Sequence, residues 1–102
     1  MENMLTKYPE IDFVFCVNDN SAIGAYEAAA VGRAEEMVIV EHDGMKDCPE
    51  YILDDKIEYS CFQDPFKMGR DTITALVEYW SGNTLTVDQY MFVCEIIDKA
   101  NA

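Results

Sequence analysis

Basic residues are scarce. Seven Lys and Arg stand against twenty Asp and Glu in 102 residues, a formal charge of −13. Such a chain repels nucleic acid, anionic membrane surfaces and polyphosphates, so neutral or cationic partners remain. Histidine occurs once, and the four cysteines (Cys16, Cys48, Cys61 and Cys94) form no C-x-x-C or Cys/His ligand spacing. That argues against a metal site and a disulfide framework, and for buried free thiols that behave as small hydrophobes. No glycine-rich phosphate cradle and no nucleophile–base–orienter set is evident, so no cofactor and no catalytic residue is expected. No apolar run approaches the roughly 18 residues of a membrane helix, so no direct membrane insertion is expected. The start, MENMLTKYPE, has no basic stretch leading into an apolar one, which predicts no signal peptide in this chain. No helix-turn-helix is expected within these residues, and no internal repeat is visible.

What is present is enough for a core. Half of the residues are hydrophobic and 12% are aromatic, which suits one small domain over 1–102. Residues 2–8 suit a short helix ended by Pro9. IDFVFCV (11–17), MVIVE (37–41), IEYSCF (57–62) and YMFVCEII (90–97) read as strands. Helix signals begin at Asp19–Ser21 and run to Gly32. A short helix is predicted over 48–54 with Pro49 in its first turn, and a long one over 65–80 with Asp64 as N-cap and Pro65 at its first position. Helices alternating with strands imply an α/β fold of three layers, a mostly parallel sheet with helices on both faces. Short, continuously apolar strands agree with burial on both sides.

In open parallel sheets, ligands bind beyond the carboxyl ends of the strands. Those ends carry Asn18, then His42 and Asp43, then Gln63. Two amides and a carboxylate supply donors and acceptors but no cation, which suits a neutral polyhydroxylated ligand better than a phosphate. Each residue also has a local role open to it. Asn18, Asp19, Asn20 and Ser21 can cap a helix, Asp43-Gly44 can be a plain turn, and Gln63 can bond to backbone.

Four stretches, in this order and spacing, resemble the C-terminal portion of the type 1 periplasmic-binding-protein family, the ribose- and sugar-binding group. They are KYPEIDFVFCVNDNSAIGAYEAAAVGR, VIVEHDG, KIEYSCFQDPFKMG and FVCEIIDKAN, and together they cover nearly the whole chain. The resemblance implies part of the second lobe of a two-lobed, non-catalytic sugar-binding protein serving an ABC sugar transporter. It places Asn18, Asp43 and Gln63 on the hydroxyls of a neutral sugar or polyol, with Asp19 capping its helix. The chain departs from the family where Glu41-His42 stands for Gly-Phe before the Asp. His42 is therefore carried as a candidate ligand contact in the place of an aromatic. The resemblance also implies an extracytoplasmic parent protein and a first lobe lying outside these residues. Strand 11–17 would then have an open edge, and helix 65–80 an unpartnered face. The missing lobe or a second copy of the chain, in a homo-oligomer, would cover them. Two other readings stay open: the effector domain of a sugar-responsive LacI-type repressor, and a truncated half-protein without ligand.

Overall fold

The computed structural model describes residues 1–29, 32–45, 47–84 and 92–102. They form two compact units, Met1–Phe62 with Glu95–Ala102, and Gln63–Cys94. The first unit holds strands β1 (Phe13–Cys16), β2 (Val38–Asp43), β3 (Tyr59–Phe62) and β4 (Glu95–Ile97). They form one sheet in the order β1-β2-β3-β4. The first two pairings are parallel and β3–β4 is antiparallel. The mostly parallel α/β sheet is the expected one.

Helices α1 (Glu2–Lys7), α2 (Asp19–Ala29) and α3 (Cys48–Leu53) complete this unit, with a short 3-10 turn at Ala34–Glu36. Pro9 ends α1 as read, by holding Tyr8 out of the helical region at φ −130 and ψ 80. Helix α2 turns Ala22, Ala25 and Ala29 inward, all buried. Side chains this small let its backbone lie close against β1 and β2. They join Cys16, Ile39, Cys48, Ile52 and Ile57 in one core, with Met1 and, from α1, Leu5 packed against it.

Side chains alternate across a strand, so register sorts them by face. Val14 beside Ile39, Cys16 beside Glu41, and Glu41 beside Ser60 lie toward the helices. Phe13 beside Val38, and Phe15 and Tyr59 on either side of Val40, point the other way. Val40 is buried, but Phe13, Phe15, Val38 and Tyr59 are exposed. The continuous apolar runs therefore do not give equal burial on the two faces.

Strand β2 runs further than its apolar letters suggest. Of His42-Asp43-Gly44, which read as an exit turn, His42 and Asp43 stay in the ladder opposite Cys61 and Phe62, and the chain turns at Gly44. Strand β4 is shorter than the predicted 90–97. Residues 92–94 lie outside the ladder, and 90 and 91 lie outside the described residues.

The second unit carries α4 (Pro65–Trp80), with the predicted ends. Asp64 Oδ1 accepts the Lys67 N–H at 2.9 Å, and Pro65 spends no donor at the first position. No residue of α4 is buried.

Candidate functional site

The sheet delivers Asn18 and Asp43 to one place because β1 and β2 are parallel neighbours whose carboxyl ends lie side by side. The two residues line a cavity of about 250 Å³ with Asp19, Asn20, Met45 and Asp47. Three carboxylates and two amides face this space, and among the described residues no Lys or Arg lines it. Such a lining accepts hydrogen bonds from hydroxyls and repels phosphate.

Asn18 does two jobs. Its Oδ1 accepts the Ser21 N–H at 2.9 Å, while its own N–H reaches Ser21 Oγ at 3.3 Å. This is a reciprocal N-terminal cap. An N–H can face only the amide oxygen, so the orientation of Asn18 is fixed and its Nδ2 is what remains to be offered to a ligand.

Asp19 was expected to cap α2, and the structure corrects this. The helix already starts at Asp19, so the capping oxygen must come from one residue earlier. The Asp19 carboxylate instead crosses to the loop after β2. Its Oδ1 accepts the Gly44 N–H at 3.1 Å and its Oδ2 the Met45 N–H at 2.8 Å. Bonds from backbone to a carboxylate are of the stronger kind, about 1.5–3 kcal/mol each. They tie the start of α2 to the turn that carries Asp43.

That turn is strained. Asp43 sits at φ 132, a region that L-residues avoid, and Gly44 follows at φ 65. A Cβ on Gly44 would come within 3.0 Å of Phe62 Cβ and Ser60 Oγ and 3.1 Å of Ile97 Cδ1. The chain holds Asp43 in a costly conformation at the cavity rim, as functional side chains often are held.

His42 lies one residue earlier on β2, opposite Cys61, with the side-chain parity opposite to that of Asp43. It does not line this cavity. Gln63 is the first residue of the second unit, where it lines a pocket of about 180 Å³ with Asp64, Lys67, Met68, Phe92 and Val93. In that unit the Lys67 ammonium lies 5.4 Å from the centre of the Phe92 ring.

Beneath the Asn18–Asp43 rim, Glu41 is buried at 1% exposure. Its Oε1 accepts the Cys48 thiol at 2.9 Å. Burial pushes the Glu41 carboxyl above its ordinary range, the Cys48 and Ser60 side chains pull it back, and Asp19 adds to the rise. Burial likewise raises the Cys48 thiol, with Glu41 adding to it. Cys16 is raised by burial too. Nothing in the residue type of Glu41 marks it as inward-pointing. Its parity with Ile39, inside a β-strand, was the available signal.

A family profile described as periplasmic binding protein domain matches residues 1–84. A D-apiose import binding protein of Paraburkholderia graminis is 26% identical across all of this chain and 33% of its own length. A ribose import binding protein of Bacillus subtilis is 36% identical over 69% of the chain and 23% of its own length. Among solved structures, an ABC transporter periplasmic solute binding protein from Actinobacillus succinogenes with bound D-allose superposes with a TM-score of 0.88. It is 28% identical and covers 97% of this chain and 35% of its own. The chain thus spans about a third or less of the length of these relatives.

Proposed function

The chain belongs to the periplasmic binding protein domain family, and from that premise we propose that it supplies part of one lobe of a non-catalytic sugar-binding protein for an ABC importer. Asn18 and Asp43 bond the hydroxyls of a neutral sugar or polyol, and Gln63 adds a third contact when a lobe closes over it. The observation that carries this reading is the cavity shared by Asn18 and Asp43, whose described lining is acids and amides with Met45. The similar import binding proteins are named for apiose and ribose, and none of those cited is a repressor, which favours the transport context and an extracytoplasmic place of work. His42 contributes at most from outside this cavity. The exposed face with Phe13, Phe15, Val38 and Tyr59, together with the open edge of β1, takes either the complementary part of such a lobe or a second copy of the chain.

A partial clamp binds weakly, so the test reads weak binding. D-ribose, D-allose and a hexose 6-phosphate are titrated into the isotope-labelled chain, and backbone amide shifts are followed. The neutral sugars are expected to move Asn18–Ser21 and Asp43–Met45, the phosphate ester to move neither, and Asp43→Ala to remove the response. Silence at both segments with every neutral sugar, or an equal response in D43A, overturns the reading. Sedimentation decides between the two covers: a dimer selects the second copy, a monomer the complementary lobe part.

A further inference from the structure

The cluster under the rim has the makings of a second site. Asp19, Glu41 and Cys48 are all buried, and one ligand atom from each lies within 4.8 Å of the other two. Clusters of acids alone mean little. Here two further groups at the same spot lack what burial demands. The second oxygen of Glu41, Oε2, and the hydroxyl of Ser60, itself at 0% exposure, form no hydrogen bond of ordinary geometry among the described residues, although Ser60 lies near enough to steady the Glu41 carboxylate. Buried polar atoms are almost always partnered, because an orphan loses its hydration without return. A cation between these groups would remove the deficit.

We propose that Asp19, Glu41 and Cys48, with Ser60 beside them, form a site for one divalent cation of borderline softness, Zn2+ being the natural ion. A thiolate is too soft for Mg2+ or Ca2+, while two carboxylates suit Zn2+, which takes sulfur and oxygen together. Tetrahedral bonds of about 2.0–2.3 Å place neighbouring ligand atoms roughly 3.3–3.8 Å apart. The 2.9 Å contact between Cys48 Sγ and Glu41 Oε1 therefore opens by several tenths of an ångström when the ion replaces the shared proton. That proton leaves to solvent, and Cys48 binds as thiolate. The outer shell is already in place. The Gly44 and Met45 N–H groups fix the Asp19 carboxylate and leave a lone pair on each oxygen. Asp19 also lines the open cavity, which gives the ion a way in. The site shares Asp19 with that cavity but uses neither Asn18 nor Asp43, so either reading can fail alone.

The test uses the full chain with Cd2+ as probe, because a cadmium–thiolate bond produces an ultraviolet charge-transfer band. The wild-type chain should give the band with one equivalent of Cd2+, and a double variant, Cys61→Ser with Cys94→Ser, should keep it. Cys48→Ser should lose the band. Glu41→Gln, close to isosteric, should weaken Cd2+ binding by about tenfold or more. Zn2+ alone should raise the thermal midpoint of the wild-type chain and leave that of C48S unchanged. A band that survives in C48S, equal affinity in E41Q, or no Zn2+-dependent rise in the wild-type midpoint would each overturn the proposal. The last needs no variant to fold.

Discussion

The two faces of the first unit's sheet are built from similar residues and meet opposite conditions. On one, Val14, Cys16 and Ile39 lie under the three helices and share a core with Ala22, Ala25 and Ile52. On the other, Phe13, Phe15, Val38 and Tyr59 are at least as apolar and are exposed. Hydrophobicity does not separate them. What differs is the supply of helix: α1, α2 and α3 all bury residues in, or pack against, the same core. An apolar strand therefore reports what a face requires, and burial reports what this stretch of chain provides. The surplus on the bare face is what the proposed cover would bury.

The strongest way to break this comparison is to cut one residue from each face. Ile39 is 1% exposed, and Ile39→Ala should cost about 2–5 kcal/mol in urea denaturation. Phe15 is 61% exposed, and Phe15→Ala should change stability by no more than about 0.5 kcal/mol. Equal costs would mean that the bare face is covered in solution. The second-largest effect is expected at the turn that holds Asp43. Gly44→Ala combines a positive φ with contacts of 3.0 Å, and about 1–3 kcal/mol should be lost. An unchanged midpoint would show that the turn relaxes, and the strained setting of Asp43 would go with it.

Much of the fold was legible because the strong local signals agreed with one another. Pro9 ended α1, Asp64-Pro65 opened α4, and the apolar runs gave all four strands. The misjudged boundaries were those that tertiary pairing decides. His42-Asp43 looked like a turn by composition, but partners on β3 hold both residues in the ladder. Within the site, Asn18 and Asp43 were legible from strand ends alone, and the cavity holds both. The use of Asp19 was not, because a helix cap and a bond across to Gly44 look alike in one dimension. Nor was the meeting of Asp19, Glu41 and Cys48, since no spacing rule joins residues on a helix, a strand and a second helix. Gln63 remains an expectation, carried by the second unit.

Glu41 offers a finer test of the helix-covered face. Burial raises its carboxyl, so with a chelator present the folded chain holds this proton to higher pH than the unfolded chain does. The stability that goes with it is complete below the ordinary carboxylate range and is lost as pH rises through the raised value. Glu41→Gln should therefore flatten the fall of stability with pH in that window, measured as urea midpoints at a series of pH values. An identical slope in both chains would mean that water reaches Glu41, and the core would be wetter than the bare face is dry.

The smallest effect is expected on α2, which has two sides of its own. Ala22, Ala25 and Ala29 turn inward, while Gly24 is exposed, and a Cβ added there meets nothing within 4 Å. Glycine inside a helix costs about 0.5–1 kcal/mol relative to alanine, because it leaves the unfolded chain more freedom. Gly24→Ala should therefore stabilise this chain by about that amount. The result is sharper when the variant is also placed in a longer protein of the family. Gly24 borders a groove of about 500 Å³ with Met1, Met4, Val14 and Val17, continuous with the exposed edge of β1. A cover that packs into this groove needs the missing Cβ, and there the same substitution would destabilise. A gain in both settings would place the cover on the sheet face alone. A gain in the short chain turning to a loss in the long one would extend it over the β1 edge and onto α2.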